Sequence, residues 1–395
     1  MTVSVSAAPS TGSLLPVYRR FPVEIVGGEG VRLFGADGRA YLDFTSGIAV
    51  NALGYGDPGL LQAMRDALES GLVHTSNLYE TAPARELADA LVSRSFADCA
   101  FFCNSGAEAN EGAFKFARRW AKTTRGPAAN EIVALRGSFH GRLFASLAAT
   151  DRPAYRAPFR PLAPGVTIVE RDFDALDGAL SSGTVAALIA EPVQGEGGVR
   201  VLPTEFLRAL RALTKRHGVA LIFDEVQCGM GRTGRFFAYE HGRVEPDLLT
   251  LAKPLAGGLP MGAVLMSREV ADTIQPGDHA TTFGGGPFVA TVARHVVERL
   301  AAPEMLDHVA TTGAWLGAEL DALAARSPRI RAVRGIGYMW GIDVTCPASI
   351  ATSRALELGL LVCSAGEHTV RLVPPLVMTR DELAEGLEML EEALR

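Results

Sequence analysis

A-L-I-F-D-E-V-Q at 220–227 and L-L-T-L-A-K-P-L-A-G-G at 248–258 decide how this chain reads. Each opens on a continuous apolar run too short for a typical helix. Such runs fit strands of a parallel sheet that is covered on both faces. Each run then ends on a charged group, Asp224 in the first and Lys253 in the second. The carboxyl ends of parallel strands are where an α/β sheet meets its ligands. The 29-residue separation of the two groups is one strand–helix–strand excursion, so both can reach one crevice. Taken singly, Asp224 reads better as a turn or cap residue and Lys253 as a lysine snorkelling at a strand end.

Working outward, the same short apolar pattern recurs at Ala100–Cys103, Glu131–Leu135, Val166–Val169 and Ala186–Ala190. Helical patterns lie between, most clearly Ala107–Trp120 and Glu205–His217. This alternation predicts an α/β domain with a mostly parallel central sheet. From about Val289 the pattern changes to long Ala-rich helices, Val289–Leu300 and Met305–Arg326. A short strand region at Tyr338–Val344 and a last helix at Arg380–Leu394 follow. Residues 21–50 have a hairpin pattern with A-D-G-R at 36–39 as its turn. The expected organisation is a mobile tail over 1–20, then 21–55 as the first part of a small α+β domain. A large ligand-binding domain over 56–295 follows, and 296–395 completes the small one.

Composition narrows the function classes. The chain of 395 residues is 48% hydrophobic and 21% charged, ordinary globular usage. Its 38 basic and 44 acidic residues leave a net charge of −6, which argues against nucleic acid as a main partner. No apolar run is long enough for a membrane span. Five scattered cysteines without paired spacing suggest reduced thiols, a cytoplasmic protein and no structural metal. The first sixteen residues lack arginine, so a mobile tail reads better than a transit peptide.

Two further stretches carry chemistry. F-F-C-N-S-G-A-E-A-N at 101–110 is a strand, a Ser-Gly turn and a helix start. Free N–H groups there suit a phosphate, Gly106 lets the backbone approach, and Ser105 adds a hydroxyl. In G-S-F-H-G-R at 137–142, Phe139 offers a ring face, His140 a second flat group and Arg142 a fork for a carboxylate. The plain alternatives are an ordinary capped helix and a solvated loop. Taken together, phosphate cradle, stacking ring, acid and imine-forming lysine are the parts that pyridoxal 5'-phosphate needs.

From about Phe21 to its end the chain resembles the class III (subgroup II) aminotransferases. The likeness rests on H-T-S-N-L-Y at 74–79, N-S-G-A-E-A-N at 104–110, F-H-G-R at 139–142 and E-P-V-Q-G-E-G-G at 191–198. It continues through F-D-E-V-Q-C-G-M-G-R-T-G at 223–234, L-A-K at 251–253, T-T-F-G-G at 281–285 and R-L-V-P-P-L at 371–376. The resemblance implies a PLP-dependent transferase of fold type I. Gly106 and Ala107 would bind the phosphate, Phe139 would stack on the ring, and Val226 would pack on its other face. Asp224 would hold the ring nitrogen protonated, with Gln227 near the ring hydroxyl. Thr282 would reach the phosphate bound by a second subunit, so the resemblance implies a homodimer with shared sites. Arg142 and Thr281 would hold substrate, and Arg371 would take the α-carboxylate of glutamate, with Glu196 as its reversible partner. The implied reaction moves the δ-amine of N-acetylornithine to 2-oxoglutarate. Succinyl-diaminopimelate, carrier-linked lysine, ornithine and 4-aminobutyrate are alternative donors.

Three positions depart from the family pattern: Ala107 where Thr is frequent, Gly286 where Asn is usual, and Leu259 where Phe is usual. Other classes fare worse. G-M-G-R-T-G at 229–234 matches a dinucleotide-binding glycine pattern, but D-E-V-Q-C separates it from the strand and no apolar helix follows. An aminomutase of the same fold would not need both Arg142 and Arg371. A non-catalytic relative would not need Lys253 and Asp224.

Overall fold

The computed structural model describes residues 13–395; the part of the expected tail at residues 1–12 lies outside the described residues. A seven-stranded sheet organises the fold. Its strands are β1 (Cys99–Cys103), β2 (Glu131–Leu135), β3 (Val166–Val169), β4 (Val185–Ala190), β5 (Ala220–Asp224), β6 (Leu248–Leu251) and β7 (Gly262–Met266). Across the sheet they run β1-β7-β6-β5-β4-β2-β3. All are parallel except β7, which lies antiparallel to both β6 and β1. Strands β4 to β7 are buried at every residue, the reason their sequences are unbroken apolar runs.

Helix α1 (Gly106–Arg125) crosses over this sheet directly after β1. Its inward face carries Ala109, Ala113, Phe114, Ala117 and Ala121, spaced at three and four residues as an amphipathic helix requires. Small alanines let the helix lie close to β6 and β7. Helix α2 (Thr204–His217) ends on Gly218 in the left-handed conformation, which frees the chain to turn into β5.

The hairpin expected near the N-terminus is present. Strands Arg32–Gly35 and Ala40–Asp43 flank a turn in which Gly38 has φ +80° and Asp37 accepts from the Arg39 amide at 3.1 Å. Leu360–Leu361 adds to this sheet in parallel with Leu42–Asp43, so the two ends of the chain share one layer. A second antiparallel sheet is built from Ile330–Ile336, Met339–Val344, Thr369–Leu372 and Cys363–Ser364. The Ala-rich helices begin two residues earlier than expected, at Pro287 and Pro303. Proline suits a first helical turn because its missing N–H has no partner there.

Candidate active site

A cavity of about 420 Å³ opens at the carboxyl ends of β1, β4, β5 and β6. Asp224, the last residue of β5, lies in its wall and is 4% exposed. Its Oδ2 faces His140 Nδ1 at 2.7 Å and accepts from Asn110 Nδ2 at 2.8 Å, while Oδ1 accepts from the Val226 amide at 3.0 Å. The turn role and the ligand-facing role of Asp224 therefore coexist. His140 departs from the expected second flat group: its fully covered ring is aimed at Asp224, and its Nε2 has no hydrogen-bond partner among the described residues. Asn110 ties the arrangement together by also donating to the His140 carbonyl at 2.7 Å and accepting from Thr250 at 2.8 Å. Sequence reasoning quoted Asn110 but gave it no role. Its signal is a polar residue on the otherwise apolar face of α1.

The start of α1 faces the same space. Ser105 caps it by accepting from the Glu108 amide at 3.2 Å. The Gly106 and Ala107 amides come too early in the helix for an intrahelical acceptor, and both residues line the cavity. A β-carbon at Gly106 would lie 2.6 Å from Val226 Cγ1, so only glycine allows Val226 to press against the helix start. A cradle of bare N–H groups and helix dipole results, the environment an anion seeks.

Lys253 follows β6 and starts a short 3-10 turn, Lys253–Ala256. Its φ of +33° is rare for a residue with a side chain and stores roughly 1–3 kcal/mol. Burial lowers its ammonium from the ordinary lysine range and Arg371 adds to this, opposed by Glu196, Asp224 and Glu191. A neutral amine is the form that can attack a carbonyl or take a proton. Glu191, unassigned from sequence, directly follows β4 beside Asp224 and accepts from the Phe139 amide at 3.1 Å. Burial, then the neighbouring Asp224, push its carboxyl well above the usual range.

Two guanidinium groups differ sharply. Arg371 is buried behind the wall, paired with Glu196 Oε1 at 2.5 Å and donating to Gln227 Oε1 at 3.1 Å. Its Nε also donates to Cys363 Sγ at 3.4 Å, a cross-strand contact that sequence gave no way to see. Burial would raise the Glu196 carboxyl, but Arg371, helped by Lys253 and Arg152, outweighs it and holds the group below its usual range. Arg142 is exposed, lines the cavity and has no carboxylate partner among the described residues. Phe139, Val226 and Gln227 also line this cavity. Thr281 and Thr282 do not: they line a separate cavity with Asn77 and His279, and Thr281 reaches the first only through Asn104 Nδ2 at 3.2 Å.

The family model for class-III aminotransferases matches residues 16–394. The chain belongs to the class-III aminotransferases. It is 43% identical to the acetylornithine aminotransferase of Methanocaldococcus jannaschii, over 96% of this chain and 95% of that one. The crystal structure of N-acetylornithine aminotransferase from Stenotrophomonas maltophilia shares 37% identity and superposes with a TM-score of 0.83, over 94% of this chain and 95% of that one. Ornithine aminotransferase from Toxoplasma gondii superposes with a TM-score of 0.93 at 29% identity, over 97% of this chain and 92% of that one.

The family depends on pyridoxal phosphate, and the residues present fit it. The bare amides at Gly106 and Ala107 suit its phosphate, the Phe139 ring and the Val226 methyl groups suit a flat ring, Asp224 suits a protonated ring nitrogen, and Lys253 suits its aldehyde. Bound there, the cofactor supplies an electron sink and a carbonyl that carries the amine from donor to acceptor.

Proposed function

We propose that this aminotransferase moves the δ-amine of N-acetylornithine to 2-oxoglutarate, releasing N-acetylglutamate semialdehyde and glutamate. One observation carries this choice of donor beyond the relatives' names. The cavity wall holds three carboxyl groups, and each is committed: Asp224 to His140 and Asn110, Glu196 to Arg371, and Glu191 to the Phe139 amide. The rest of the wall is largely apolar, with Val50, Val193, Leu259, Pro260 and Met261. Among the described residues no acid is left in this wall to pair with the second ammonium that ornithine would bring, and an unpaired buried charge is costly. An acylated donor has no such charge.

In this reading Lys253 Nζ holds the cofactor and then moves a proton at the donor carbon that bears the amine. Asp224 holds a proton on the cofactor ring, with His140 and Asn110 fixing its carboxylate. Arg142 binds the distal carboxylate of either substrate. Arg371 binds the α-carboxylate of glutamate once Glu196 swings aside. Thr281 and Thr282, which lie outside this cavity, serve that of a second subunit, Thr281 by holding its substrate and Thr282 its phosphate, so the working form is a cytoplasmic homodimer. The large part over 56–295 binds the cofactor, and a smaller part comes from both chain ends. Among the described residues no helix is long and apolar enough to cross a membrane.

Steady-state kcat/KM for N-acetylornithine, succinyl-diaminopimelate, carrier-linked lysine, ornithine and 4-aminobutyrate, each with 2-oxoglutarate, tests the donor. N-acetylornithine should exceed ornithine by at least about tenfold, the effect of roughly 1.4 kcal/mol of unpaired charge. Equal values for the two would overturn the choice.

A further inference from the structure

Arg142 poses a problem that its own contacts resolve. It is exposed, and a free arginine side chain samples many rotamers, roughly 2 kcal/mol of entropy that a ligand must freeze out. A salt bridge to a protein carboxylate would hold it still but would occupy the fork that a substrate carboxylate needs. The structure uses an aromatic face instead. The guanidinium carbon of Arg142 lies 3.4 Å from the centroid of the Tyr155 ring, and 5.8 Å from that of Phe139. Stacking on a ring engages the flat face of the guanidinium and leaves its N–H edge free.

Tyr155 sits on a platform fixed from behind. It belongs to the short helix Pro153–Arg156, and its amide donates to the Arg152 carbonyl at 2.9 Å. Arg152 in turn donates to the carbonyl of Glu196. Asp151, one residue earlier, accepts from the Gly137 amide at 2.8 Å and from Arg136 at 3.3 Å. One segment thus ties the Tyr155 ring to the loop bearing Glu196 and to the loop before Phe139. The Tyr155 hydroxyl makes no hydrogen bond among the described residues, so the ring face is the part in use.

We propose that Tyr155 is a positioning residue that holds the Arg142 guanidinium flat and open, so that its edge meets the distal carboxylate of both substrates. This rests on the reading of Arg142 as the distal carboxylate receptor. The role is separable from that of Arg371, which meets only substrates with a carboxylate beside the reacting carbon.

The test uses the holoenzyme and four proteins: wild type, Tyr155→Ala, Tyr155→Phe and Arg142→Ala. Tyr155→Ala should raise KM for both N-acetylornithine and 2-oxoglutarate by roughly three- to tenfold, with kcat within about twofold. Tyr155→Phe keeps the ring and should restore both KM values. N-acetylputrescine, which is N-acetylornithine without its carboxylate, should react in the amine half-reaction at the same rate in wild type and Tyr155→Ala. A loss with N-acetylputrescine equal to that with N-acetylornithine would mean that Tyr155 only supports the fold, and would overturn the proposal. So would failure of Tyr155→Phe to rescue, or an unchanged KM in Tyr155→Ala beside a raised one in Arg142→Ala. If Arg142→Ala itself leaves KM unchanged, the receptor reading fails and takes the role of Tyr155 with it.

Discussion

Glu196 and Arg371 meet at 2.5 Å although 175 residues separate them, and their pair closes the wall of the cavity in front of a buried guanidinium. The Arg371 side chain is 2% exposed and that of Glu196 23%, so the carboxylate is the member with room to move. An unpaired buried arginine would be costly, so under the proposed function Glu196 has the task of pairing with Arg371 whenever no substrate carboxylate is there. Glu196→Ala should therefore slow the δ-amine half-reaction while sparing the half-reaction with glutamate. It should also destabilise the protein by about 1–3 kcal/mol, less than a fully buried pair because Glu196 is partly solvated. Stopped-flow spectra of the two half-reactions and thermal melts check both effects.

Lys253→Ala should fold, as its side chain makes no ion pair among the described residues, yet lose at least about a thousandfold in turnover. Its absorbance with added pyridoxal phosphate should lack the band of lysine-bound cofactor. Circular dichroism separates this outcome from simple unfolding. A variant that cycles amine at the wild-type rate would refute the role of Lys253.

Glu191 sets a pH dependence of stability. Its folded carboxyl titrates well above the ordinary value because of burial and the adjacent Asp224. The stability linked to the neutral acid is complete below the unfolded value, near 4.5, and is lost as pH rises towards the folded one. Glu191→Gln keeps a neutral acceptor for the Phe139 amide and cannot ionise. Its Tm should gain steadily on that of wild type as pH rises from about 5 to 8. A constant difference across that range would show that Glu191 is ionised in the folded protein.

Thr282 carries the prediction on assembly. It lies in a cavity apart from Lys253, beside His74 and Asn77, although family likeness gives it a cofactor phosphate to bind. A phosphate in a second subunit reconciles the two. Activity should therefore fall on dilution as dimers dissociate. Full activity from a species that sediments as a monomer would contradict this.

Much of the fold was legible because sheet burial leaves a simple trace. Strands β2, β3 and β6 coincide with the apolar runs read from sequence: β2 and β6 are buried almost throughout, and β3, at the sheet edge, is half-buried but likewise bounded by polar or Gly-rich residues. The run G-A-V-L-M at 262–266 is just as apolar. Nothing local shows that β7 turns back and inserts between β6 and β1, because direction and order are set by long-range pairing. The site divides similarly. Asp224, Lys253 and the start of α1 were readable from their places at strand ends. The pairing of His140 with Asp224 and the buried acid Glu191 depend on neighbours distant in sequence, and Cys363 against Arg371 and the Tyr155 platform depend on strand register and loop path rather than on any local pattern.

The most direct test of a cavity with one permanent and one gated carboxylate receptor is single-turnover spectroscopy of each half-reaction in Arg371→Ala and Arg142→Ala. Arg371→Ala should slow the half-reaction with glutamate by on the order of a hundredfold or more, as losing a buried charged partner costs roughly 3–5 kcal/mol, and should largely spare the half-reaction with N-acetylornithine. Arg142→Ala should slow both. Equal losses in the two half-reactions of Arg371→Ala would contradict the account.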